Sequence, residues 1–267
     1  MMTFSYSQIS HYLRCPRSYR YRYIDGWREK ESRAALCFGR CFEKALAALF
    51  RKEDPGAALF TEWAAYREAQ LEYSPGDSWE RVLRQGIALL ERFAQENRVE
   101  VSSPANLQKK ILRPLPSGHQ FVAYVDGLGT LDGVPRVLEW KTTTTRYPEQ
   151  PAGLTSLDLQ LTCYSWMTGI SEVALVVFVR KRLPEIQYLT ASISEEQRQE
   201  FAQIVEAATS QIETAQFLPR PGIRFPQNGC VSCAHLGLCL DNPALIDGKL
   251  LRQPGASDLD WLDRFDD

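Results

Sequence analysis

The sequence predicts a mixed α/β fold with a helical part inserted or prefixed. Three observations predict it. Up to about residue 97, apolar residues recur near the 3.6-residue helical period. From 107 to 141 the pattern switches to short strand-like runs parted by turn residues. After one more helix, the apolar run 172–179 suits a buried strand, and a long helix follows it.

Residues 5–14 read as a short helix opened by a cap at Ser5 or Ser7. Leu36, Cys41, Ala45, Leu46 and Leu49 share one face of a helix over 36–52. Two more helices are expected at about 57–72 and 78–97, parted by Pro75-Gly76, which makes about 50–100 a helical part. The runs 107–114, 119–126 and 135–141 read as strands, with Pro116-Ser117-Gly118 and Asp132-Gly133 as their turns. A helix at about 155–168 precedes the strand 172–179, and 185–190 is its edge neighbour. Ser194-Glu195-Glu196-Gln197 is a capping-box pattern and opens a helix to about 215. Pro219, Pro221 and Pro226 mark a loop. A single domain is expected over 1–245, with an acidic tail over 246–267.

A chain of 267 residues can bury a sizeable core. Its 31 basic and 33 acidic residues leave a formal charge of -2, which excludes a histone-like cationic protein but not a local basic groove. There is no apolar stretch long enough to span a bilayer and no signal-peptide pattern, so a cytoplasmic protein without membrane attachment is expected. The seven cysteines are an odd number, and cytosolic thiols stay reduced, so a disulfide scaffold is not expected.

Three carboxylates stand out: Glu43 on the first long helix, Asp126 at a strand end, and Glu139 on the next strand. Asp126 and Glu139 are 13 residues apart, which suits neighbouring strands joined by a turn. Glu139 and Lys141 are two apart, so on a strand they face the same side. Acids and a lysine together on a core strand need partners. Metal-assisted hydrolysis uses such a set. Asp126 and Glu139 would hold Mg²⁺ or Mn²⁺ through hard oxygens, with the Trp140 backbone carbonyl as a further ligand. Lys141 would orient a water or stabilise phosphate charge. A surface ion pair beside a turn Asp explains the short pattern alone equally well. Downstream, Gln160 and Tyr164 are spaced i, i+4 and share a helix face.

These residues, in this order, resemble a PD-(D/E)XK nuclease of the RecB/AddB type, the group that includes the CRISPR-associated RecB-like exonucleases. The resemblance runs from about Ser5 to Cys239. Ser5-Tyr6-Ser7-Gln8-Ile9 and Leu13-Arg14-Cys15-Pro16-Arg17-Ser18-Tyr19 resemble the family's N-terminal segment, and Phe38 to Leu46 its first motif. Asp126 and Glu139-Trp140-Lys141 match the metal and lysine motifs, and Gln160 with Tyr164 the QxxxY. The resemblance implies a restriction-endonuclease-like core, with a mixed central sheet flanked by helices. The family usually carries a histidine where Glu43 stands. A carboxylate also binds a hard divalent metal, so Glu43 reads as a substitute ligand.

Cys230, Cys233 and Cys239 put three thiolates on one segment, and Cys15 is the candidate fourth ligand. They resemble the family's iron staple, which implies a [4Fe–4S] cluster. Zn²⁺ is the alternative, since thiolates suit both and His235 lies between two of the cysteines. Cys37, Cys41 and Cys163 read as small buried hydrophobes.

Arg17, Arg20 and Arg22, interleaved with tyrosines, are candidate DNA contacts, since arginine binds phosphate and tyrosine stacks on bases. Arg180-Lys181-Arg182 is a second basic spot. There is no Walker A pattern, so the chain has no visible motor of its own; DNA and a helicase or other DNA-processing protein are the expected partners. The expected function is metal-dependent DNA hydrolysis, exonucleolytic or end-processing, in repair, recombination, phage or CRISPR-type DNA processing. The alternative is a catalytically weak DNA-binding or scaffold subunit with the same fold.

Overall fold

The structure is a computed structural model that describes residues 1–220 and 229–253. Pro221 and Pro226 of the expected loop, and the tail from 254 onward, lie outside the described residues. The chain divides into two compact units. One comprises 1–31, 113–122 and the segment from 203; the other comprises 32–112 and 123–202.

The first unit begins with β1 (Thr3–Ser5), α1 (Tyr6–Arg14) and α2 (Pro16–Tyr19). Ser5 is the cap of α1: its hydroxyl accepts from the Gln8 N–H while the Gln8 side chain accepts from the Ser5 N–H. α2 runs into a π-helical turn, Arg20–Ile24, and then β2 (Trp27–Glu29).

The second unit opens with β3 (Ser32–Arg33), α3 (Ala34–Phe50), α4 (Pro55–Ala64), β4 (Leu71–Glu72), α5 (Trp79–Glu96) and β5 (Val99–Glu100). The helix expected to reach residue 72 stops at Ala64. The Tyr66 and Arg67 N–H groups turn back to carbonyls three residues earlier, which tightens and ends it. The chain then pairs β4 with β3 in parallel.

α3, α4 and α5 pack through Phe38, Phe42, Leu59, Trp63, Leu89 and Leu90, all fully buried. Trp63 and Trp79 stack, and each indole N–H donates to the other's carbonyl, at 3.1 and 3.0 Å. Gly86 makes the close approach possible. A Cβ there would lie 2.6 Å from the Phe38 ring and 2.7 Å from Leu59. Overpacking costs about 1–3 kcal/mol, partly offset by about 1 kcal/mol of helix propensity. The net cost of up to about 2 kcal/mol means that Gly86→Ala is expected to lower the melting temperature by up to about 8 °C. A thermal melt at or above the wild-type value would show that the helices separate without cost.

The sheet follows: β6 (Leu107–Pro114), β7 (Gln120–Leu131), β8 (Val134–Thr143), then α6 (Leu159–Thr168), β9 (Glu172–Val179) and β10 (Glu185–Ser192). β7 and β8 are antiparallel, β8 and β9 parallel, β9 and β10 antiparallel. The parallel pair needs a crossover, and α6 supplies it. This is the expected mixed central sheet with helices packed on it. β1 lies parallel to Gln120–Val122, the start of β7.

α7 (Glu195–Glu213) opens on the expected capping box, with Ser194 and Gln197 bonded reciprocally. The first unit closes with α8 (Leu236–Leu240), α9 (Pro243–Lys249) and β11 (Leu250–Arg252). The segment from 246, expected as the start of a tail, thus continues α9 and forms β11. β11 pairs antiparallel with β2, because Leu250 gains a buried site there.

Candidate active site

The acidic residues meet where β7, β8, α3 and α6 lie in the second unit. On β8, alternation sends Glu139 and Lys141 to one side and Trp140 to the other. Trp140 is buried and stacks 6.1 Å from Phe50. Gly127 makes room for it, since a Cβ there would sit 3.0 Å from the indole. The Trp140 N–H donates to Asp126 Oδ2 at 3.0 Å and so ties the end of the acid's side chain to β8.

Asp158 caps α6 by accepting from the Gln160 and Leu161 N–H groups, so the helix begins at Leu159 rather than at about 155. This sets Gln160 in the first turn and Tyr164 one turn later. The Gln160 amide donates to the Tyr164 hydroxyl at 3.1 Å, and Tyr164 donates to Asp126 Oδ1 at 3.4 Å. Lys141 Nζ donates to Gln160 Oε1 at 2.9 Å and is ion-paired with Glu139 Oε1. Asp126, Tyr164, Gln160, Lys141 and Glu139 therefore form one unbroken path of polar contacts. Gln108 of β6 joins it, donating to Asp126 Oδ1 at 3.3 Å. No spacing in the sequence marks Gln108, because its partner is set by strand pairing.

Asp126 and Glu139 are buried, and Glu43 on α3 is partly exposed. Burial pushes the Glu43 carboxyl up to about 7, with Glu139 adding to the shift against Lys141 and Arg40. Burial pushes Asp126 up to about 6, with Glu43 adding. Glu139 is raised well above the usual carboxylate range, by burial first and Asp126 second. Burial lowers the Lys141 ammonium's proton affinity, but the attraction of Glu139 and Asp126 outweighs it, so Lys141 stays charged.

The three acids still outnumber the two cations that act on them, Lys141 and Arg40, and no donor reaches the buried Glu139 Oε2. Both facts fit a site that takes a divalent cation on Asp126 and Glu139. Among the described residues, no three His, Cys, Asp or Glu side chains already converge closely enough to enclose a metal.

These carboxyls bind protons more tightly folded than unfolded. Without metal, their contribution to stability therefore falls as pH rises from about 4 to about 7, between ordinary carboxylate values and the raised ones. Glu139→Gln removes the most perturbed carboxyl and is expected to flatten this fall. Melting temperatures of metal-free wild type and variant across that range check it, and parallel curves would contradict it.

The four cysteines expected as cluster ligands all belong to the first unit. Cys15 sits between α1 and α2 in extended backbone, and Cys239 lies on α8. The Cys233 N–H bonds the Cys230 carbonyl at 3.1 Å. Cys233 and Cys15 are both electrostatic neighbours of Cys239. These thiols approach one another without being gathered into a ready metal site. His235 Nδ1 lies 2.9 Å from Ser18 Oγ, and its ring also bonds the Trp27 backbone. The same Ser18 hydroxyl lies 3.9 Å from Cys233 Sγ, so one hydroxyl links His235 to a thiol. Cys37, Cys41 and Cys163 are buried, as expected of small hydrophobes.

Arg20 pairs with Asp25 at 3.4 Å, Arg22 lies over the Tyr23 ring, and Arg17 is an electrostatic neighbour of Tyr21 and Cys239. Tyr19 is buried against Tyr12, Tyr23 and Phe217, so part of the tyrosine run is internal packing. Arg180 is not the surface contact that its basic neighbours suggested. It is buried, 3.2 Å from Asp77 and over the Phe38 ring, while Lys181 pairs with Glu185. Among the described residues no helix is long and apolar enough to cross a membrane.

The family model described as the PD-(D/E)XK nuclease superfamily matches residues 3–240. A solved structure from Eubacterium rectale, provisionally described as an exonuclease, is similar with a TM-score of 0.52 at 14% identity. The match covers 97% of this chain and 92% of that one. At that identity the likeness speaks to fold alone. A second, SSO0001, covers 90% and 86% at 15% identity, with a TM-score of 0.40. No curated protein matches the sequence.

Proposed function

We propose that this chain, which belongs to the PD-(D/E)XK nuclease superfamily, is a metal-dependent deoxyribonuclease of the RecB/AddB type that degrades or trims DNA ends. The observation that carries this reading is the contact path from Asp126 through Tyr164, Gln160 and Lys141 to Glu139. A chance D…ExK pattern gives no reason for a glutamine and a tyrosine on another element to link its lysine to its aspartate.

Asp126 and Glu139, with Glu43 and the Trp140 carbonyl, would hold Mg²⁺ or Mn²⁺, the metals that nucleases of this superfamily generally use. A divalent cation there supplies an acidified water and neutralises charge on the phosphate. Lys141 brings a fixed positive charge to the scissile phosphate and the attacking water. Gln160 is a second anchor for the Lys141 ammonium beside Glu139, and Tyr164 and the Trp140 N–H keep Asp126 in one orientation. Arg17, Arg20 and Arg22 are proposed to take DNA phosphates. Cys15, Cys230, Cys233 and Cys239 are proposed to bind a [4Fe–4S] cluster, with Zn²⁺ as the alternative. A cytoplasmic setting and a helicase or other DNA-processing partner complete the proposal.

One observation favours a catalytically weak scaffold subunit instead: the three acids are not yet gathered tightly enough to enclose a metal. Linear and covalently closed circular DNA, single- and double-stranded, incubated with Mg²⁺ or Mn²⁺, decide between them. Loss of linear DNA with survival of closed circles is the expected result. Binding without any cleavage supports the scaffold.

A further inference from the structure

Gln108 combines left-handed backbone with a side chain that donates to Asp126 in the candidate site. Six non-glycine residues among those described have positive φ. Lys52, Asn97, Ala215 and Asp241 follow or cap helices, and Asp132 sits in the β7–β8 turn, where such backbone is ordinary. Gln108, at φ 46°, also follows a helical turn, Pro104–Asn106 with Leu107 as its cap, and is the second residue of β6. Left-handed backbone is unfavourable for a residue with a Cβ, and it persists where the surroundings enforce it.

The helix end accounts for the conformation, and an inserted residue would be another ordinary reason. Here the contacts keep step along the two paired strands. Gln108 meets Asp126, and two residues on, Lys110 lies over the ring of Tyr124, two residues back. Nothing is inserted between these pairs. What the left-handed backbone accompanies is the direction of one side chain, whose amide donates to Asp126 Oδ1. Tyr164 donates to the same oxygen and the Trp140 N–H to the other. Three donors from three elements therefore fix the Asp126 carboxylate.

We propose that Gln108 is a positioning residue for Asp126, its amide completing the set of three donors so that the carboxylate is preset for a divalent cation. The proposal rests on the reading of this pocket as a metal site. A residue kept for function at a cost in stability has a signature that a merely structural one lacks: relieving the strain leaves the fold intact and harms the site.

Gln108→Gly relieves the backbone and removes the amide; Gln108→Ala removes the amide only. Mn²⁺ binding, followed by electron paramagnetic resonance, and melting temperature are measured on both, beside wild type and Asp126→Ala. Both Gln108 variants are expected to bind Mn²⁺ about tenfold or more weakly, and Gln108→Gly is expected to melt no lower than wild type. Wild-type Mn²⁺ affinity in both variants, or a clear fall in the melting temperature of Gln108→Gly, would overturn the proposal. If Asp126→Ala loses Mn²⁺ while Gln108→Gly keeps it, the role of Gln108 fails alone. If wild type does not bind Mn²⁺, or Asp126→Ala binds it equally well, the metal-site reading fails and takes this proposal with it.

Discussion

Glu139→Ala and Asp126→Ala should each fold as wild type does and cleave DNA more than about 100-fold more slowly. Residues one shell out from a metal already cost about 10- to 100-fold when removed, and a ligand should exceed that. Folding should survive because these side chains do not hold the apolar core together. Each acid is pushed toward its protonated form by burial and by its neighbours, so the folded chain gains little from its charge. Glu139→Ala also frees Lys141 from its ion pair, leaving Gln160 as its anchor. Circular dichroism and single-turnover cleavage on the same preparation check both halves. Cleavage near the wild-type rate in both variants would remove the proposed site. Loss of folding in both would show instead that the acids act as structural struts.

Cys15→Ala is the second large effect. If Cys15 joins Cys230, Cys233 and Cys239 on one cluster, its loss should bleach the visible absorbance and remove iron. It should also lower the melting temperature, because metal-binding free energy is part of folding free energy. The strand pair β2–β11 limits the size of the drop. It already joins the two ends of the first unit, with further bonds from Lys30 to the Lys249 carbonyl and from Gln253 to the Gly26 carbonyl. The ring closed through Cys15 and Cys239 therefore spans only about 25 residues beyond that pairing, which the entropy model of cross-links values at about 3–4 kcal/mol. That corresponds to about 10 °C. Cleavage should fall only as far as folding does, since the carboxylates belong to the other unit. Full iron and an unchanged melting temperature would exclude Cys15 as a ligand. A colourless wild type containing zinc would decide for the alternative metal.

What the sequence made legible follows from periodicity. A spacing of two on a strand put Glu139 and Lys141 on one side, and they are ion-paired. A spacing of four on a helix put Tyr164 beside Gln160. Long helices and the apolar strand β9 announced themselves by their apolar periods. Contacts fixed by pairing rather than by spacing were hidden. Gln108 reaches Asp126 only because β6 lies against β7. Arg180 read as part of a basic spot, yet Asp77, 103 residues earlier, neutralises it inside the fold. β1, β2 and β11 are three residues each, too short to show a period.

Cleavage of end-labelled DNA by wild type and Glu139→Gln, side by side from EDTA through rising Mg²⁺ and Mn²⁺, tests the metal-dependent nuclease reading most directly. The variant keeps the shape of the side chain and removes only its charge. Wild type should be silent in EDTA and cut increasingly as metal is added, while Glu139→Gln stays silent across the titration. Cutting by wild type in EDTA, or equal cutting by the two proteins in Mn²⁺, would contradict it.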